Sequence, residues 1–377
     1  MEKPLTIQES YFNEALSAIR KNPSDSTSTK VDVLHRFATF CEKQYLAHVR
    51  SPDAAFLKNT CEDLQIEVEE LENAMTTHSR NGDEWKHYHR QLKKTREEHQ
   101  RYNDKYEAHL QASDVFLQAA IQHYSTTITE ADPKDEVDIV IRICALWFNN
   151  FRDDQLADSV KGHLLAIPTH KLIFISHQLS SRLSTDERYK SQQILQRLVF
   201  NLSARHIFHT FYQLFALEHG SDDGRTSSSN SSLRNSQRGQ QQDVPHEPRE
   251  MQARILLGKL RANPKIMERV ENLTRVSEAY LQWAKLKLDK DMIQSEMAIP
   301  RGMMIGQLRD VKVPIATDYL APDPRGRYDN FVSLQSYEMR YRTAGGINLP
   351  KINQCRGSDG QLRTQLVGTS IILPSSR

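Results

Sequence analysis

The chain of 377 residues is 26% charged, yet its 50 Lys and Arg and 48 Asp and Glu almost cancel, to a net charge of +2. No global field therefore selects nucleic acid or an acidic membrane surface. A mean hydropathy of −0.64 argues for long solvated helices over a compact enzyme core, in a chain long enough for one large core or a few smaller ones.

Residues 1–217 read almost wholly as helix. Val31, Leu34, Phe37, Ala38, Cys41 and Tyr45 recur at steps of three and four, one face of an amphipathic helix. From Asp53 to Tyr124 the pattern is long, charged and thinly apolar. Leu57, Cys61, Leu64, Val68, Leu71 and Met75 form a narrow stripe, and Asn81-Gly82-Asp83 offers a turn before a second arm resumes at Trp85. That predicts a long antiparallel helical hairpin burying one seam, over about 53–124.

Asp132-Pro133 predicts a helix start, because Asp caps free N–H groups and Pro suits the first turn. The helix after it has a broad apolar face of Val140, Ile143, Cys144, Trp147, Phe148 and Phe151, read as core packing. Ile167-Pro168-Thr169 opens another helix carrying Leu172, Ile175, Leu179 and Leu183; Thr185 opens the next, and a further one runs from about Ala204. Short apolar helices joined by short turns predict a stacked helical-repeat array.

Residues 218–250 change to Ser, Asn, Gln, Gly and Arg, a composition that cannot repay its ordering entropy and is expected to be disordered. Helix resumes over 251–299, broken at Asn263-Pro264. Past Ile299-Pro300, prolines, glycines and short runs such as Val311 to Ile315 and Phe331 to Tyr337 suit the strands of a small sheet. The fold expected is mainly α: a helical-repeat array followed by a short β-rich region over 300–367.

The four cysteines, Cys41, Cys61, Cys144 and Cys355, have no metal-ligand spacing and fit a reducing compartment. The opening Met1-Glu2-Lys3-Pro4 has no apolar signal segment, and the most apolar stretch, Ile139 to Phe148, contains Arg142 and is too short to span a bilayer. An intracellular soluble chain is expected. His206 and His209 stand three apart on a helix without carboxylate or Cys partners nearby, so packing is expected over metal binding. Lys93-Lys94 and Arg96 are followed at once by Glu97 and Glu98, a solvated helix face and not a DNA patch.

Near the end the sequence reads Tyr341-Arg342-Thr343-Ala344-Gly345-Gly346-Ile347-Asn348-Leu349-Pro350-Lys351-Ile352, then Gly357-Ser358-Asp359-Gly360 and Gln365-Leu366-Val367. This resembles the start of the kinase domain in the phosphatidylinositol 3-kinase-related protein kinases, in wording closest to the ATM/TEL branch. Earlier blocks resemble the same branch in the same order. They are Phe37-Ala38 with Phe40 and Gln44-Tyr45, then Cys144-Ala145-Leu146-Trp147-Phe148, then Ile167-Pro168-Thr169-His170-Lys171 with Gln178-Leu179-Ser180-Ser181-Arg182. The helical region would be the family's FAT domain and the β-rich region the incomplete start of its kinase N-lobe.

The resemblance implies that Thr343, Ala344, Gly345 and Gly346 are the counterpart of the loop that covers the ATP phosphates, where glycine lets backbone N–H groups approach anionic oxygens. Taken without the family, the same residues read as a tight turn between strands, and Gly357 to Gly360 as a hairpin turn, Asp-Gly being a strong turn signal. The family's loop works with a lysine on the third strand, and Gly368 stands at that position, with neither charge nor reach. Its catalytic aspartate and metal-binding Asn and Asp would lie beyond Arg377. The resemblance ends at Val367; residues 369–377 match nothing in it and look like translated non-coding sequence or a frameshift product.

The intact family uses ATP and Mg and phosphorylates Ser or Thr followed by Gln; no cofactor is expected for this chain alone. Ser236-Gln237 and Ser191-Gln192 are such pairs, Ser236 being the candidate regulatory site. The resemblance further implies a nuclear location, DNA double-strand-break signalling and telomere maintenance at chromatin, protein partners bound through the helical array, and a homodimer. No direct nucleic-acid or membrane site is evident. Three readings follow: a fragment of such a kinase, a non-catalytic helical scaffold that binds protein partners, or an unrelated helical-repeat adaptor with an accidental C-terminal match, which the ordered helical blocks disfavour.

Overall fold

The computed structural model describes residues 4–21, 27–77, 82–130, 136–220, 248–288, 296–344 and 349–368. The chain divides into two compact units, residues 1–167 and 168–377. The architecture is mainly α with one small antiparallel sheet.

The first unit is all helical: α1 (Pro4–Ile7), a π-helical turn (Gln8–Asn13), α2 (Glu14–Lys21), α3 (Thr27–Val49), α4 (Pro52–Thr77), α5 (Asp83–Glu130), α6 (Glu136–Asn149) and α7 (Asp154–Ala166). The stripe expected on α3 is the buried one: Val31, Leu34, Phe37, Ala38, Cys41 and Tyr45 all face inward. The long hairpin is present as α4 against α5. On α4 only Ala54, Cys61 and Val68 are fully buried, because that helix packs against a single neighbour and can cover only one seam.

The 48-residue helix α5 changes character along its length. Its first half buries Leu92 and Thr95, and its second half buries Phe116, Leu117, Ala120, Ile121, Tyr124 and Ile128, where α3, α6 and α7 pack on it. Helix α7 starts at Asp153, whose carboxylate accepts the N–H groups of Gln155 and Leu156, each at 2.9 Å. Two otherwise orphaned donors are thereby satisfied. Trp147 is 1% exposed and stacks on Phe148 with ring centroids 5.0 Å apart, the core role expected of it.

The second unit begins differently from the expectation. Thr169–Ile175 is 3₁₀ helix and only Ser176–Ser180 (α8) is α-helix. Apolar spacings of three and four suit both helix types, so the pattern could not separate them. Nor does Thr185 open a helix: Asp186 accepts the backbone N–H of Arg188 and pairs with its guanidinium in a local turn, and α9 runs Lys190–Arg205. Helices α10 (Ile207–Glu218), α11 (Pro248–Arg261) and α12 (Met267–Lys285) follow. The expected disordered stretch, Asp132-Pro133 and residues 369–377 fall largely or wholly outside the described residues.

The sheet comprises β1 (Met297–Ala298), β2 (Arg309–Pro314), β3 (Ser333–Thr343), β4 (Lys351–Gly357) and β5 (Leu362–Val367), all pairing antiparallel. β3 takes β1 and β2 along one edge and β4 on the other, and β5 closes the order beyond β4. Helix α12 packs on β2 and β5. Strand alternation then sorts the residues: Lys351, Asn353 and Cys355 on β4 and Gln365 and Val367 on β5 are buried.

Candidate functional site

The Thr343–Gly346 segment joins β3 to β4. Thr343 pairs with Lys351 across the ladder, and one step further the Ala344 N–H donates to the Pro350 carbonyl at 2.7 Å. Leu349 is held at φ +41°, a conformation unfavourable for a branched side chain that turns the chain back into β4. Thr343 and Ala344 therefore form one pinned side of the connection. Gly345 and Gly346, the other two residues of the expected phosphate loop, lie outside the described residues.

What borders this connection is more specific than the motif suggested. Lys351 is 2% exposed and donates through Nζ to the Ala284 carbonyl at 3.0 Å, capping the last turn of α12 with a cation, where the helix dipole favours one. Burial holds its ammonium below the ordinary lysine range. Sequence reasoning quoted Lys351 but gave it no role; the alternation through Asn353 and Cys355 would have placed it inward.

Two steps along the same face is a buried polar cluster. The Tyr280 and Tyr337 hydroxyls lie 2.6 Å apart, and Gln365 Oε1 accepts from them at 2.8 and 3.1 Å. Two hydroxyl protons thus serve three contacts. Burial pushes both phenols above the ordinary tyrosine range, so the cluster is neutral. Trp283 meets Tyr341 edge-on at 4.6 Å and completes the contact between α12 and the sheet.

The opposite face is open. The regular register pairs Ile352 with Leu366 and Gln354 with Thr364, and Leu362 and Leu366 are 45% and 44% exposed. Alternation carries that face on from Leu366 to Gly368. The position expected to hold a lysine therefore belongs to the open face but brings no cation there. Lys351 cannot substitute, since it is buried on the other face. The described cations on the open face include Arg356, which pairs with Glu338 at 3.0 Å, and exposed Arg342, the ladder partner of Ile352.

Each residue of Gly357-Ser358-Asp359-Gly360 has an architectural task between β4 and β5. A Cβ on Gly357 would sit 2.6 Å from both Val332 and Asp359, and Gly360 has φ +77°. Ser358 exchanges bonds with Ser333, its N–H donating to the carbonyl at 2.9 Å and its Oγ accepting the N–H at 3.1 Å. Asp359 accepts two bonds from the Arg363 guanidinium, at 3.0 and 2.9 Å, and that pairing lowers its carboxyl pKa to about 2. Arg363 also reaches Asp318 at 2.7 Å.

His206, between α9 and α10, and His209 on α10 are packing residues. His206 is fully buried, with Nε2 2.9 Å from Thr169 Oγ1 and Nδ1 2.5 Å from the Tyr328 hydroxyl; His209 Nε2 is 2.9 Å from the Leu320 carbonyl. Among the described residues no group of three or more His, Cys, Asp or Glu could hold a metal ion, and no helix is long and apolar enough to cross a membrane. Lys93 and Arg96 pair with Glu97 and Glu72 on the exposed hairpin. Ser191 and Gln192 are buried, and Ser236 lies outside the described residues.

A helical array leading directly into the opening antiparallel strands of a kinase-type N-lobe defines the class of this chain. No protein-family model matches it. Among curated proteins it is 28% identical over 259 residues to the serine-protein kinase ATM of Sus scrofa, covering 67% of this chain and 8% of that protein. It is 24% identical over 374 residues to the serine/threonine-protein kinase tel1 of Schizosaccharomyces pombe, covering 97% of this chain and 12% of that protein. Its fold matches a structure of the FAT and kinase domain of CtTel1 with a TM-score of 0.71 at 20% identity, covering 97% of this chain and 23% of that one. It also matches the complete CtTel1 dimer with C2 symmetry at 0.72, covering 12% of that chain. The curated relatives and the solved structures it is similar to are ATM and Tel1 kinases, and the chain spans roughly a tenth of the length of the curated relatives it matches.

Proposed function

We propose that this chain provides FAT-type helices and the first N-lobe strands of an ATM/Tel1-type serine/threonine kinase. Such a kinase acts in the nucleus, signalling DNA double-strand breaks and maintaining telomeres by phosphorylating Ser or Thr followed by Gln. It uses ATP and Mg, binds protein partners through the helical array and works as a homodimer. Within it, Thr343 to Gly346 would cover the nucleotide phosphates.

The residues of this chain do not fit ATP as that loop requires. The single observation carrying this is Gly368: it continues the open face of β5 beyond Leu366, and it supplies no ammonium for the phosphates. This polypeptide therefore acts through its architecture, the buried seam between α12 and the sheet holding the turn in place, and transfers no phosphate by itself. The test is incubation of the purified chain with γ-labelled ATP, Mg and a Ser-Gln peptide. Label staying at the level of a no-protein control is expected, and time-dependent transfer to the peptide would refute the reading.

A further inference from the structure

Helix α11 has one face that the fold uses and one that it does not. Glu250, Gln252, Ala253, Leu256, Leu257 and Leu260 are buried. The opposite face exposes Arg249, Met251, Arg254, Ile255, Gly258 and Lys259, and Lys265 is exposed just past the helix. We propose that this face docks an acidic amphipathic helix of a partner protein, whose carboxylates meet Arg254 and Lys259 and whose apolar stripe lies along Met251 and Ile255.

Charge gives the first argument. From 248 to 265 the sequence carries Arg249, Arg254, Lys259, Arg261 and Lys265 against the single carboxylate of Glu250, which is buried on the inward face. Glu218 on α10 lies 3.8 Å from Arg254 and 3.7 Å from Arg261 and offsets part of this charge. In a chain whose total charge is nearly zero, that is a local concentration of one sign, and it selects an anionic partner.

The apolar residues decide what kind of anion. Met251 and Ile255 are 39% and 40% exposed and stand one turn apart, so they make a short ridge between the cations. A phosphate backbone would gain nothing from that ridge, whereas an amphipathic helix buries its own stripe there, methionine adapting to its shape. Gly258 adds an independent sign. A Cβ there would meet nothing within 4 Å, so the chain's own packing does not require a glycine, although glycine weakens a helix relative to alanine. Its absent side chain leaves room for a second helix to approach closely.

The test is fluorescence anisotropy of the full chain with a labelled peptide of about 18 residues, leucine at helical spacing and glutamate elsewhere. Saturable binding is expected that weakens with added salt. Combined Arg254→Glu and Lys259→Glu, and separately Gly258→Leu, should each weaken it at least about tenfold, and Gly258→Ala should leave it unchanged. A scrambled peptide of the same composition should bind at least about tenfold more weakly. No saturable binding of the striped peptide, equal binding of the scrambled one, or tighter binding of duplex DNA than of the peptide would each overturn the proposal. Circular dichroism checks that the variants fold; if the double charge reversal unfolds α11, Gly258→Leu and the peptide comparison decide.

Discussion

The His206 imidazole and the Tyr328 hydroxyl stand 2.5 Å apart across 122 residues of sequence, and Thr169 occupies the other ring nitrogen at 2.9 Å. A fully buried neutral histidine with both nitrogens engaged ties the 3₁₀ segment and α10 to the loop between β2 and β3. Tyr328→Phe leaves Nδ1 without that partner, and a loss of about 1–2 kcal/mol is expected from urea unfolding.

The same histidine makes stability depend on pH. Burial, with His209, His170 and Arg205 nearby, lowers its pKa from 6.5 to about 4; burial does the same to His123 in the first unit. A base whose folded pKa is depressed binds fewer protons folded than unfolded. Its contribution is therefore complete above the unfolded pKa and is lost as pH falls from about 6.5 toward 4, at most about 3 kcal/mol per group. Unfolding followed from pH 7 to 4.5 should show that slope, and His206→Gln should remove its share while the His123 share remains.

Gly357 and Gly360 separate two reasons for a glycine in one turn. Gly357→Ala forces a Cβ to within 2.6 Å of Val332 and Asp359 and 2.7 Å of Arg363, so about 2–3 kcal/mol of destabilisation is expected. Gly360→Ala meets open space but must hold φ +77°, at about 1 kcal/mol. Hydrogen exchange at β4 and β5 should rise more in the first variant than in the second.

Gln365 Oε1 is the acceptor both buried tyrosines share, so Gln365→Leu leaves the two hydroxyls only each other, 2.6 Å apart, and one proton without an acceptor. A loss of about 1–3 kcal/mol is expected. Tyr337→Phe leaves the Tyr280 bond intact and should cost about 1 kcal/mol. Thermal unfolding of the two variants side by side measures the difference.

Much of this was legible in the sequence because it rests on periodicity. The stripe from Val31 to Tyr45 and the face around Trp147 are buried as their spacing requires, and Asp359-Gly360 marked its turn. The polar seam was not legible. Tyr280, Tyr337 and Gln365 lie far apart in the chain, and a mid-strand glutamine looks like a solvent-facing residue until the register pairs it with Asn353. Lys351 was hidden for the same reason, since a lysine reads as exposed unless a helix end waits for it. Bulges in β3 also break the alternation that would have sorted its residues.

The account turns on Gly368. Nucleotide binding is the most direct measurement: titrate the full chain with a fluorescent ATP analogue and Mg at physiological salt. No saturable binding is expected below about 1 mM. Saturable binding at micromolar nucleotide, abolished by Arg342→Ala, would contradict it, since an open-face arginine would then be holding the phosphates that Gly368 cannot.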